Sequence, residues 1–177
     1  MKFLLLMICL AMNGFAADFY GIKEKSITGQ DYSLSQLKNK VVLVVNIASQ
    51  CGYTSQLEKL ETLFQKYKGQ GLVVVGVPTN DFGGQTPEND KEMLEFCSKN
   101  YKVTFPILTK KTIQGKEKRD LYKFLTEQTS KKLQGEVGWN FEKFLINKKG
   151  DVVNRFRSSM DPLDNEILSI ITSLLKE

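Results

Sequence analysis

Two apolar runs set the frame of this chain. Val41 to Ile47 is apolar except for Asn46, and Leu72 to Val77 is interrupted only by Gly76; both are rich in β-branched residues. Each reads as a buried strand. Between them Leu57, Leu60, Leu63 and Phe64 recur at helical spacing, which predicts a helix over Leu57 to Tyr67. Two buried strands joined through a helix imply a parallel unit with helices covering the sheet.

The remaining pattern extends this unit. Phe19 to Ser26, with a turn at Thr28-Gly29-Gln30-Asp31, suggests a short N-terminal β-hairpin, and Ser33 is placed to cap a brief helical turn through Leu37. A second helix is expected over Glu88 to Asn100, with Met93, Leu94 and Cys97 on one face. A short extended piece is expected over Val103 to Leu108, and a third helix within Gly115 to Gln128. Phe141 to Asn147 and Asp151 to Phe156 flank Lys148-Lys149-Gly150 and read as a hairpin with a glycine turn. Asp161-Pro162 is expected to open the last helix, with Ile167, Ile170, Ile171 and Leu174 as its buried stripe. These elements fit an α/β, thioredoxin-like architecture: a mixed central sheet with helices on both faces and an N-terminal β-hairpin.

The first sixteen residues read as a targeting segment. A basic start at Lys2, the apolar stretch Phe3 to Met12 and small residues at Gly14 and Ala16 form a secretory signal peptide pattern with cleavage after Ala16. The stretch is too short for a membrane span. Cys9 would be discarded with it, because Ile8 does not suit a lipoprotein-type cut. Residues 17–177 then form a single domain, in a secreted or periplasmic protein. The net charge of +5 is spread over separated lysines without a basic stripe interleaved with aromatics, which argues against nucleic-acid binding.

Chemistry concentrates at Cys51. It follows the first strand in Ser49-Gln50-Cys51-Gly52-Tyr53-Thr54 and precedes the first helix, where unpartnered backbone N–H groups and the helix dipole favour a thiolate. The chain has no histidine. This excludes a Ser-His-Asp triad, a Cys-His pair and a histidine-based zinc site, so a reactive Cys51 must be activated by hydrogen-bond donors and dipoles. The cysteine spacing does not suit a zinc ribbon, and no metal or cofactor is expected. After cleavage only Cys51 and Cys97 remain, either as a structural disulfide or as a redox pair that cycles.

Three further residues are candidates to join Cys51. Gln85, in Phe82-Gly83-Gly84-Gln85-Thr86-Pro87, leaves the carboxyl end of the second strand, as Cys51 leaves that of the first. Trp139 and Asn140 precede the strand Phe141 to Asn147 and reach the same edge if that strand runs antiparallel. All three side chains are neutral N–H donors. A thiol that reduces a peroxide needs donors that hold the peroxide in line with sulfur and stabilise the departing RO⁻, and this set can supply them.

These segments, with Phe96-Cys97, Val103-Thr104-Phe105-Pro106 and Gly138 to Leu145, resemble the glutathione peroxidase family over nearly all of the mature chain. The resemblance implies a thioredoxin-like fold and a catalytic tetrad of Cys51, Gln85, Trp139 and Asn140. It also implies that Cys97 is the resolving cysteine of the thiol-dependent, thioredoxin-using branch, which requires the second helix to loosen. The expected activity is reduction of hydrogen peroxide and organic or lipid hydroperoxides in the response to oxidative stress, with glutathione or a thioredoxin-like protein as reductant. The chain departs from the family pattern at Thr79 and Asp81, the latter adding a negative charge near the site. The short stretch Thr112 to Tyr122 lacks the long insertion of animal tetrameric members and points to a monomer. A thiol–disulfide oxidoreductase on the same fold is the alternative, although Gly52, Tyr53 and Thr54 supply no second cysteine. A redox sensor or relay that passes its disulfide to a partner protein would use the same two cysteines.

Overall fold

The computed structural model describes residues 18–177. The proposed signal peptide and Cys9 lie outside the described residues. The N-terminal hairpin pairs β1 (Lys23–Lys25) with β2 (Asp31–Ser33). The 3-10 turn Leu34–Leu37 follows, capped by the Ser33 hydroxyl, which accepts from the Ser35 N–H. Next come β3 (Val41–Ile47), α1 (Gln56–Tyr67), β4 (Leu72–Pro78), α2 (Asp90–Tyr101) and α3 (Asp120–Glu127). The chain closes with β5 (Lys143–Ile146), β6 (Val152–Phe156) and α4 (Asn165–Lys176).

The central sheet has the order β4-β3-β5-β6. β3 and β4 are parallel, while β5 runs antiparallel to β3 and β6 antiparallel to β5. Lys143 faces Val45 across the β3–β5 pair, so the residues preceding β5 arrive at the edge where β3 and β4 end. The antiparallel direction that the site requires is therefore met.

The period of two along β3 divides the core between the faces of the sheet. Val41, Leu43, Val45 and Ile47 join Leu57, Leu60 and Leu63 of α1, Met93 and Cys97 of α2, and Ile167 and Ile171 of α4. Val42 and Val44 join Leu121, Tyr122 and Leu125 of α3, together with Phe19, Leu34 and Leu37 from the N-terminal turns. Helices cover both faces, as expected. The β5–β6 turn needs its glycine: Gly150 has φ +92°, and a Cβ there would stand 2.9 Å from the Tyr20 ring.

Several boundaries differ from expectation. α4 begins at Asn165 because the Asp164 side chain caps it, accepting from the Glu166 N–H, and Pro162 lies in the preceding turn. Ile170 is only half-buried. α3 lies within its expected stretch and begins at Asp120, because Arg119 is drawn into a buried ion pair with Glu24 of β1 and donates to the Thr109 carbonyl. The segment around Pro106 forms bridges only, Ile107 with Gly76 and Leu108 with Ser26. β5 begins at Lys143, not Phe141, because Phe141 adopts φ +65° and breaks the extended run.

Candidate active site

Cys51 lies in a tight turn between β3 and α1. Its N–H donates to the Thr54 hydroxyl at 3.0 Å, and its carbonyl accepts from the Thr54 N–H at 3.0 Å. The Thr54 hydroxyl in turn donates to the Ala48 carbonyl at 3.1 Å. These bonds close the turn around the half-buried sulfur, which accepts from the Tyr53 N–H at 3.5 Å. One of the backbone donors anticipated at this turn thus reaches Sγ. α1 itself starts five residues later, at Gln56.

Gln85 is bound to this turn through its backbone. Its carbonyl accepts from the Gln50 N–H at 3.0 Å and from the Ser49 hydroxyl at 3.3 Å. The loop can turn back toward Cys51 because Gly83 and Gly84 both take left-handed φ values, +64° and +67°. The Gln85 side chain meets the third segment: Asn140 Nδ2 donates to Gln85 Oε1 at 3.0 Å. Asn140 is fully buried, and its own Oδ1 has no hydrogen-bond partner among the described residues.

Trp139 is held by its backbone and leaves its ring partly open. Asn46 Nδ2 donates to the Trp139 carbonyl at 2.9 Å, and the Asn46 carbonyl accepts from the Phe141 N–H at 2.7 Å. The indole packs against buried Phe82, with ring centroids 5.8 Å apart, yet remains 40% exposed. It is the one large exposed apolar side chain among the described residues. A cleft of about 240 Å³ runs beside it, lined by Tyr53, Trp139, Glu142, Arg157, Ser158 and Ser159.

The structure therefore draws the Cys51 turn, the Gln85 loop and the Trp139-Asn140 segment together at the carboxyl edge of β3 and β4. Cys97 is different. It sits on the buried face of α2, is not bonded to Cys51, and has no exposed surface. Burial, reinforced by the charge of Glu88, pushes its thiol pKa up to about 12. Cys97 is a core residue in this state of the protein. Asp81, a departure from the family pattern, is engaged elsewhere: its Oδ2 accepts from the Ile113 N–H at 2.6 Å and the Thr112 hydroxyl at 3.1 Å.

Sequence reasoning missed several supporting residues. Asn46 was legible as the one polar residue in an apolar strand, although its grip on both sides of Asn140 was not. Ser49 donates to Glu88 Oε2 at 2.5 Å and so links the Cys51 turn to the segment before α2. Glu142, fully buried, accepts from the Gly138 N–H and from Arg155 Nε, each at 2.7 Å, and steadies the backbone that leads into Trp139. The Ser49–Glu88 and Glu142–Arg155 bonds leave no local signal, because they join residues 39 and 13 positions apart.

The family model for glutathione peroxidase matches residues 19–126, a span that includes Cys51, Gln85 and Cys97. This chain belongs to the glutathione peroxidase family. It is 45% identical over 155 residues to the glutathione peroxidase-like peroxiredoxin gpx1 of Schizosaccharomyces pombe, covering 86% of this chain and 98% of that protein. It is 44% identical over 163 residues to the glutathione peroxidase-like peroxiredoxin HYR1 of Saccharomyces cerevisiae, covering 91% and 98%. Among solved structures, Trgpx in its apo form superposes with a TM-score of 0.73 at 37% identity, covering 92% of this chain and 97% of that one. A thioredoxin-family thiol:disulfide interchange protein from Chlorobium tepidum superposes with a TM-score of 0.66 at 17% identity, covering 87% and 92%. That likeness bears on the fold alone, which is thioredoxin-like as expected. The expectation of a peroxidase oxidoreductase of this family is upheld.

Proposed function

We propose that this glutathione peroxidase family member reduces hydrogen peroxide and organic or lipid hydroperoxides through Cys51. The thiolate attacks one peroxide oxygen, the O–O bond breaks, and Cys51 becomes a sulfenic acid while RO⁻ leaves and takes up a proton. Gln85, Trp139 and Asn140 orient the peroxide and stabilise the leaving oxygen through neutral N–H donors. The observation that carries this reading is the double attachment of Gln85: its carbonyl binds the residue before Cys51, and its side chain binds Asn140. The cleft beside Trp139 would admit the bulk of an organic hydroperoxide.

Cys97 resolves the sulfenic acid in this scheme. Its thiolate displaces hydroxide from Cys51, forming a disulfide and, with a proton, water. Burial of Cys97 requires α2 to open first, and α2 is suited to it, burying only Met93 and Cys97 of its twelve residues. A thioredoxin-type dithiol then restores both thiols by disulfide exchange. The protein would act as a monomer outside the cytoplasm, after removal of residues 1–16.

Intact mass after one equivalent of hydrogen peroxide, with peptide mapping, tests the scheme. Loss of two hydrogens with a Cys51–Cys97 peptide supports it. One added oxygen at Cys51 alone keeps the peroxidase reading and returns Cys97 to the core. No change at either cysteine would sink the reading. Sequencing the N-terminus of the exported protein tests localisation: a start at Ala17 is expected, and a start at residue 1 would refute cleavage.

A further inference from the structure

Lys143 is the least expected residue in the core. It occupies the first position of β5, opposite Val45, with no exposed surface. By the alternation of the strand it shares the sheet face of Leu145, the face covered by α1 and α4. Among the described residues no carboxylate lies within salt-bridge distance of it, and Asp161 and Glu142 act on its charge only from farther away. A buried ammonium without a counter-ion is costly, and an apolar side chain would fill the same space more cheaply. The fold gives it no evident reason to be there.

Its hydrogen bonds supply one. Lys143 Nζ donates to the Phe141 carbonyl at 2.8 Å and to the Ser158 carbonyl at 3.4 Å. The Ser158 carbonyl also accepts from Gln56 Nε2 at 2.8 Å, and Gln56 is the first residue of α1, the helix that follows the Cys51 turn. A continuous polar link thus runs from the segment bearing Trp139 and Asn140 to the helix behind Cys51. Phe141 is the strained member, a bulky residue at φ +65°. Its N–H is fixed by the Asn46 carbonyl and its carbonyl by Lys143. If the carbonyl were released, Phe141 could relax toward an extended conformation, and Asn140 would swing away from Gln85.

From this geometry, and resting on the peroxidase reading, we infer that Lys143 is a positioning residue for peroxide reduction. It locks the left-handed turn at Phe141 and so aims the Trp139 and Asn140 donors at the Cys51 site. Burial lowers its pKa to about 8, against the pull of Asp161 and Glu142.

The test compares two reactions of Cys51 in the full mature chain. Oxidation by hydrogen peroxide needs the aligned donors; alkylation by iodoacetamide needs only the thiolate. In Lys143→Met the rate of oxidation, followed through the single tryptophan Trp139, should fall at least tenfold while alkylation stays within twofold of wild type. A folded Lys143→Met protein with an unchanged oxidation rate, or with equal losses in both reactions, would overturn the inference. If Lys143→Met does not fold, Lys143→Gln decides, since it withdraws the ammonium from the Phe141 carbonyl while keeping a polar side chain of similar size. A severalfold loss of oxidation alone supports the link, and an unchanged rate refutes it. A wild-type protein inert to peroxide would remove the peroxidase reading first and this inference with it.

Discussion

The Asn140 side-chain amide donates to the Gln85 side-chain oxygen over 3.0 Å, joining two loops that lie 55 residues apart in sequence. The bond uses the oxygen of Gln85 and leaves its NH₂ group free of protein partners among the described residues. On the proposed mechanism, Asn140 orients the Gln85 donor as well as supplying one of its own. The two residues act as a unit, and their substitutions should not be independent.

Asn140→Ala and Gln85→Ala should each lower the second-order rate of peroxide consumption by about 10²–10³-fold, the usual effect of losing one preorganised donor. The double variant should be little worse than either single one, because each already disables the other. Rates that multiply in the double variant would show that the hydrogen bond does not couple them in catalysis.

Cys51→Ser should abolish peroxide consumption. Cys97→Ser should retain one stoichiometric reaction with peroxide and lose turnover with a thioredoxin-type donor. Steady-state assays beside a single-turnover burst separate the two, and full turnover of Cys97→Ser would leave Cys97 a packing residue.

The burial of Cys97 makes its reactivity a gauge of α2. In the reduced protein at pH 8, iodoacetamide should label Cys51 and spare Cys97, whose pKa is near 12. The helix is held at its start by a capping box in which Asn89 accepts from the Glu92 N–H and Glu92 accepts from the Asn89 N–H, both at 3.0 Å. Asn89→Ala should destabilise the protein by about 1 kcal/mol. It should also quicken both Cys97 labelling and disulfide formation after peroxide. Slower disulfide formation in this variant would argue against helix opening as the route.

Lys143 makes a prediction about stability and pH. The folded protein releases this proton near pH 8, whereas the unfolded chain holds it to the ordinary lysine value of 10.5. Between these values the unfolded state binds more protons, so this residue makes stability rise with pH across the window. Nearby Asp161 and Glu142 favour the charged form but do not outweigh burial. Denaturant melts from pH 7 to 10.5 should show wild type gaining stability relative to Lys143→Met. A constant difference between the two would mean that Lys143 titrates normally.

Much of this protein follows from sequence periodicity. The short, β-branched apolar runs of β3 and β4 read as buried strands, and Leu57, Leu60 and Leu63 fix which face of α1 meets them. The cysteine at the end of β3, the absence of histidine and the neutral donors in two later loops already imply that a reactive Cys51 must be supported by hydrogen bonds. Local signals failed where a distant partner overrode them. Arg119 leaves α3 for Glu24, and Phe141 leaves the strand because Asn46 and Lys143 hold it in a left-handed turn.

The sequence alone thus determined the elements, their buried faces and the residue types available for chemistry, because hydrophobic period and turn residues act over a few positions. Only the tertiary structure decided which donors face one another, that Cys97 is sealed in the core, and that a buried lysine ties the two halves of the site together. Those outcomes depend on strand order and on hydrogen bonds between residues tens of positions apart, and nothing in the local chain encodes them.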